Sequence, residues 1–149
     1  MRALIQRVSE ASVIVSDEKI SGIGCGLVIF LGIFNDDDIQ DIEYLIKKTA
    51  GLRIFNDDDA DMNFSIQDVN ASALVVSQFT LCANTQKGRR PSFFNAASPK
   101  IAETMYENYC AGLEQVGISV NRGRFGATMC VQIKNEGPVT IMLDSKLIK

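Results

Sequence analysis

The chain opens on a strand pattern. Over residues 2–16, Ala11, Val13 and Val15 alternate with Ser12, Ile14 and Ser16, and β-branched side chains dominate, which predicts one long strand. Asp17-Glu18-Lys19 reads as a turn, and residues 20–23 as a short returning strand. Residues 27–31 have no polar face, which predicts a strand buried on both sides. The period then changes. Ile39, Ile42, Ile46 and Ala50 recur at helical spacing. Asp36, Asp37 and Asp38 stand at the start of that helix, Lys47 and Lys48 near its end and Gly51 just beyond, as the helix dipole and a glycine C-cap favour. Residues 52–55 predict a short strand, followed by a polar loop to about Ala73.

Residues 74–76 predict a second buried strand, which ends in Ser77-Gln78-Phe79-Thr80. Residues 84–95 are polar, basic and loop-like. Ser98-Pro99 opens a helix, with Ser as N-cap and Pro at the first helical position. Ile101, Met105, Tyr109, Leu113 and Val116 form its apolar stripe, and Gly117 ends it. Residues 118–121, 128–134 and 139–143 read as strands, with Asn135-Glu136-Gly137-Pro138 a tight connection between the last two. The sum is a mixed α/β layer structure with two main helices. No stretch reads as a linker or repeat, so residues 1–149 form a single predicted domain.

Composition narrows the chemistry. The chain has 149 residues and no histidine, which excludes Ser–His and Cys–His nucleophile pairs and imidazole-bound zinc. With 15 basic and 18 acidic side chains the net charge is −3, a poor default for nucleic-acid binding, so an RNA partner has to meet a local basic patch. Cys25, Cys82, Cys110 and Cys130 form no C-x-x-C pair and read as reduced thiols in apolar surroundings, which suits a cytoplasmic protein. Gln6 and Arg7 interrupt the opening too early for a signal peptide, and the longest apolar run, residues 27–31, falls far short of the ~18 residues of a membrane span.

Four segments carry candidate chemistry. Asp57-Asp58-Asp59-Ala60-Asp61-Met62-Asn63 places oxygens at calcium-loop positions, with Asp68 at the twelfth. Met62, however, stands where the sharp turn needs glycine, and a strand rather than a helix precedes it. A solvated acidic loop is the expectation, with no metal and no cofactor. Lys87-Gly88-Arg89-Arg90-Pro91-Ser92-Phe93-Phe94 is the one concentrated basic stretch. It reads either as a solvated loop or as a phosphate clamp built on Lys87, Arg89 and Arg90, with Arg122 and Arg124 as extensions. Ser77-Gln78-Phe79-Thr80 follows a buried strand, where its hydroxyls, amide and backbone N–H groups either form an oxyanion site or satisfy one another. Gly137-Pro138, taken alone, reads as a turn.

Together these segments resemble the D-aminoacyl-tRNA deacylase family along essentially the whole chain. The resemblance is carried by residues 1–8, Leu52-Arg53-Ile54-Phe55 with Met62-Asn63, Val76-Ser77-Gln78-Phe79-Thr80-Leu81, and Lys87-Gly88 with Arg90-Pro91-Ser92-Phe93. Gly123 with Phe125-Gly126-Ala127 and Met129 adds to it, as does Asn135 with Gly137-Pro138-Val139-Thr140. Glu136 stands where many relatives are expected to carry Asp, and Ala71-Ser72 replaces a more glycine-rich approach to the strand. The resemblance implies a homodimer with a three-layer β/β/α arrangement of mixed, barrel-like sheets. It implies hydrolysis of the ester joining a D-amino acid, or glycine mischarged on tRNA-Ala, to the 3′ end of tRNA. Ser77, Gln78, Phe79 and Thr80 of one subunit would meet a cis Gly137-Pro138 of the other, and Phe125 and Met129 would line the pocket for the terminal adenine. The expected partners are the aminoacylated tRNA 3′ end and a second copy of the chain, without DNA or membrane. A non-catalytic RNA-end binding module is the alternative, and a calcium-responsive interaction protein a third reading.

Overall fold

β1 (Arg2–Val15) organises the sheet because it is long enough to serve three neighbours. Its first half pairs antiparallel with β3 (Gly26–Gly32), from Arg2 opposite Gly32 to Val8 opposite Gly26. Its second half pairs with β2 (Glu18–Ile23), and its other edge runs antiparallel along β6 (Cys130–Asp144). β3 then pairs parallel with β4 (Ser72–Ser77), and β4 parallel with β5 (Ser119–Arg122). The computed structural model describes residues 1–57 and 62–148.

Alternation along β3 and β4 builds two cores. Leu27, Ile29, Leu31, Ala73 and Val75 face α1 (Ile39–Gly51) and α2 (Pro99–Gln115), together with Leu45, Tyr106, Tyr109 and Leu113. Val28, Leu74 and Val76 face the other way, joining Val8, Ala11 and Val13 inside the curl of the sheet. Strands buried on both faces are what the runs 27–31 and 74–76 predict. The result is a mixed, nearly closed barrel-like sheet with two helices on one side.

α1 starts where the acids predict. Asp38 accepts from the Gln40 and Asp41 N–H groups, while Asp41 accepts from the Asp38 N–H at 2.9 Å, a reciprocal capping box. Asp41 is nearly buried and also takes Lys146 Nζ at 3.1 Å. Burial pushes its pKa up, but hydrogen bonds from Ser145, the Asp38 backbone and Lys146 outweigh that and hold it at about 2. A carboxyl depressed in the folded state stabilises the fold above its unfolded value, and that contribution drains away as pH falls through the folded one. The urea midpoint is therefore expected to drop between pH 4 and pH 2. Asp41 contributes on the order of 2 kcal/mol of that loss, and an Asp41→Asn variant should show a correspondingly shallower acid slope.

The structure departs from the sequence reading at several places. The first hairpin turns at Ser16 and Asp17, with φ of +50° and +65°, so Glu18 and Lys19 already belong to β2. Gly51 is the last residue of α1 rather than a left-handed cap, since Leu52 closes the helix at φ −70°. Residues 52–55 form no strand; Phe55 alone bridges to Phe64. Ser98 precedes α2, but its hydroxyl makes no capping bond. The buried stripe of α2 is Ala102, Met105, Tyr106, Tyr109, Cys110 and Leu113, while Ile101 is 54% and Val116 40% exposed. Residues 130–144 are one strand, so 135–138 is no turn. Cys25 and Cys130 are exposed, unlike the apolar surroundings expected for all four thiols; Cys82 and Cys110 are buried, and burial pushes Cys82 up to about 11. The calcium reading falls largely on 58–61, outside the described residues. Among the described residues, no helix is long and apolar enough to cross a membrane.

Candidate active site

β4 ends against the main chain of β3. Gln78 N–H donates to the Leu31 carbonyl at 2.8 Å, and the chain then tightens into a 3-10 turn, Phe79–Cys82. Gly32 allows this close approach. A Cβ there would lie 2.8 Å from Leu81 Cβ and 3.1 Å from the Gln78 carbonyl oxygen. Two further bonds lock the turn: Arg2 Nη1 donates to the Leu81 carbonyl at 3.0 Å, and Cys82 Sγ to the Ile33 carbonyl at 3.3 Å. Arg2 is itself held by Asp144 at 2.8 Å. The first N–H groups of any helical turn lack internal partners. Here those of Phe79 and Thr80 find no acceptor among the described residues. Gln78 Nε2 donates to Thr80 Oγ1, so that hydroxyl oxygen already accepts a bond.

The turn borders a pocket of about 670 Å³. Leu31, Ile33 and Val76 form its apolar floor. Phe79 and Phe93 meet edge-on on one side, ring centroids 5.1 Å apart, and Phe125 and Met129 stand on another. Phe125 rests on Tyr106 at 5.9 Å, and the Tyr106 hydroxyl donates to the Val75 carbonyl at 2.8 Å. Gly123 N–H takes the same carbonyl at 2.8 Å, and a Cβ on Gly123 would lie 3.0 Å from Met129 Sδ. The structure thus brings Ser77, Gln78, Phe79, Phe125 and Met129 to one pocket, with Thr80 one residue behind Phe79. Ser77, Gln78 and Ser98 supply the polar side chains beside its apolar walls. No ionisable side chain lines it among the described residues.

The basic loop is anchored at its base, where Asn84 and Ser92 exchange backbone bonds of 2.8 and 2.9 Å. Lys87, Arg89 and Arg90 are exposed on it and form no ion pair among the described residues. They do not line the pocket, but Phe93 of the same loop does. Arg122 does not extend the patch. Glu114 grips it in a fork at 2.8 and 3.0 Å, and Glu107 adds a contact at 3.4 Å. Arg124 is exposed, beside the pocket wall at Phe125.

Gly137-Pro138 lies elsewhere on the same chain. Between the pairs Gln6–Thr140 and Val8–Asn135, β6 carries three more residues than β1, so the segment bulges from the ladder. The peptide is cis, and Gly137 has φ +115°. Asn135 Nδ2 braces the bulge by donating to the carbonyls of Arg7 and Val139, both at 3.0 Å. Beneath it the buried Arg7 guanidinium donates to the Ile54 carbonyl at 2.6 Å and to Asn56 Oδ1 at 3.1 Å. Glu136, Gly137 and Pro138 are exposed, and none lines the pocket of its own chain. Arg2, Arg7 and Asn135 are long-range braces that no local pattern revealed. Gly32, directly after an apolar run, was the one local signal of the close approach.

A family model described as D-Tyr-tRNA(Tyr) deacylase matches residues 4–144. A D-aminoacyl-tRNA deacylase of Roseiflexus sp. (strain RS-1) is 50% identical over 149 residues, covering 100% of this chain and 96% of the relative. One from Thermotoga petrophila is 48% identical over 145 residues, covering 97% of each. Among solved structures, the c-Myc DNA Unwinding Element Binding Protein superimposes with a TM-score of 0.93 at 39% identity, over 97% of this chain and 98% of that one. A structure described as a probable eukaryotic D-amino acid tRNA deacylase shares the fold, with a TM-score of 0.82 at 18% identity over 95% of this chain and 97% of that one. Spanning nearly every described element, these matches place the chain in the D-Tyr-tRNA(Tyr) deacylase family.

Proposed function

We propose that this protein is a hydrolase that cleaves the ester between a D-amino acid and the 3′ end of tRNA, releasing free tRNA and the D-amino acid. Family membership supports the reaction class. The observation that carries the mechanism is a pocket bordered at Phe79 by a 3-10 turn whose Phe79 and Thr80 N–H groups find no acceptor among the described residues, with no ionisable side chain in its described lining. Catalysis in such a site rests on oriented dipoles and on groups that the substrate brings.

The terminal adenosine enters between Phe125 and Met129, where an unpaired base finds an aromatic face and a polarisable thioether. Lys87, Arg89 and Arg90 grip the phosphates that precede it. Water adds to the ester carbonyl carbon. The Phe79 and Thr80 N–H groups stabilise the oxyanion, while Ser77 and Gln78 shape and orient the pocket. The tetrahedral carbon then breaks its bond to the ribose 3′ oxygen, and the neighbouring 2′-hydroxyl relays the water's proton to that oxygen. Thr80 Oγ1 is no nucleophile in this scheme: it accepts from Gln78, and no base stands in the lining to deprotonate it.

Chirality is sorted by bulk. The exposed Gly137-Pro138 bulge of a second copy of the chain enters the pocket, and its carbonyls accept from the substrate ammonium. The same carbonyls fill the space that an L side chain needs. No contact with the D side chain is required, so many D-amino acids pass, and so does glycine, including glycine mischarged on tRNA-Ala. The protein then acts as a homodimer in the cytoplasm, where tRNA is charged.

Purified protein is expected to release D-tyrosine from D-tyrosyl-tRNA, and Thr80→Ala to keep kcat within about tenfold of wild type. That tenfold lies well below the ~10⁴ or more that deleting a true nucleophile costs. Binding without release would leave an RNA-end binding module. A collapse of kcat in the Thr80 variant would favour a covalent route.

A further inference from the structure

Phe94 is the most exposed large apolar side chain described, at 87%. A single exposed aromatic is ordinary on a protein surface; the surroundings of this one are not. Its backbone is held on both sides. Ala96 N–H closes a turn onto the Phe93 carbonyl at 3.0 Å, and Asn35 N–H takes the Asn95 carbonyl at 2.9 Å. Upstream, Ser92 is locked to Asn84. A ring on so fixed a segment is presented rather than frayed. It follows Phe93, which lines the pocket against Phe79, and it shares its loop with Lys87, Arg89 and Arg90, three cations with no carboxylate partner among the described residues. An exposed aromatic ring on the same loop as three cations, in a body of net charge −3, suits single-stranded nucleic acid. Phe93 lines the pocket and Phe94, the next residue, does not, so this loop carries one ring into the pocket and the following ring outside it.

We propose that Phe94 is a stacking platform for the unpaired base immediately preceding the terminal adenosine of the RNA, so that the site reads two nucleotides rather than one. This rests on the proposed deacylase function. It adds a second base subsite outside the pocket, held by the same loop that grips the phosphates.

The test compares two substrates. One is D-tyrosyl-tRNA; the other is 3′-O-(D-tyrosyl)adenosine, which lacks the preceding base. The readout is the ratio of their kcat/KM values. In Phe94→Ala this ratio is expected to fall about tenfold, toward the low end of what base–aromatic stacking supplies. The fall should sit in KM for the tRNA. Phe94→Trp should hold the ratio within about twofold, whereas Phe94→Leu, apolar but without a π face, should behave as the alanine variant does. A ratio that stays put in Phe94→Ala overturns the proposal, and so does an equal fall for both substrates. A shift to a smaller species in sedimentation velocity, with the ratio unmoved, also overturns it and assigns the ring to a contact between copies of the chain. Wild-type protein that cleaves neither ester removes the deacylase reading itself, a result distinct from all of these.

Discussion

Replacing the terminal ribose 2′-hydroxyl with hydrogen is expected to slow enzymatic deacylation by at least about 100-fold. Positioned proton transfer is worth about 10²–10⁴ in rate, and the described lining of the pocket offers no ionisable side chain to provide it. Its lining is apolar, aromatic, hydroxyl and amide throughout. The hydroxyl beside the ester is then the group placed to carry a proton from the attacking water to the departing 3′ oxygen. The experiment measures single-turnover rates on D-tyrosyl-tRNA ending in adenosine or in 2′-deoxyadenosine, each divided by its own spontaneous hydrolysis rate. KM should change little, because the base and phosphate contacts survive. An undiminished normalised rate would mean that a protein group or free hydroxide performs the transfer, and the substrate-assisted route would be abandoned. One oxygen atom of the RNA should thus matter far more than the Thr80 hydroxyl.

The second large effect concerns Gly137. Its φ of +115° is a backbone conformation that L side chains rarely adopt. A Cβ there would stand 2.9 Å from Arg7 Nη2 and 3.0 Å from Val139 Cγ2. The guanidinium cannot simply withdraw, because it is buried and committed to the Ile54 carbonyl and Asn56. Gly137→Ala must therefore move the bulge, at a stability cost of about 1–3 kcal/mol. If the bulge sorts enantiomers in a neighbouring copy's pocket, D-tyrosyl-tRNA hydrolysis should fall about 100-fold. The ratio of D- to L-tyrosyl-tRNA rates should fall at least tenfold. The variant should still show the native far-UV spectrum, since the pairing of β6 with β1 on either side of the bulge is untouched. Initial rates on both enantiomers decide the matter. Loss of rate with an intact ratio would make Gly137 a structural residue, and the sorting would have to lie elsewhere.

Much of this architecture could be read from the chain, where burial has a local signature. The runs at 27–31 and 74–76 lack a polar face because β3 and β4 divide their side chains between the two cores. The acid-led helix from Ile39 was equally plain, because capping is a contact between near neighbours. What failed was decided at long range. Gly137-Pro138 looks like punctuation, yet β6 runs through it because β1 continues to pair on both sides. Ile101 fits the helical period, but it lies on the exposed side of α2. Arg122 looks like part of a basic patch until Glu107 and Glu114 of α2 are seen beside it. The site divides along the same line. Ser77-Gln78-Phe79-Thr80 and the basic loop were visible as segments. Arg2 holds the 3-10 turn through a partner 79 residues away, and Arg7, beneath the bulge, bonds to one 47 residues away.

The three-way pairing of β1 also sets an order of events during biosynthesis. β1 is synthesised well before its longest partner, residues 130–144. Until those emerge, one edge of β1 offers unpaired N–H and C=O groups to the solvent, a template to which any passing extended chain can attach. Closure of the barrel-like sheet thus waits on a pairing between residues 2–14 and residues 130–144, the kind of non-local pairing that folds slowly.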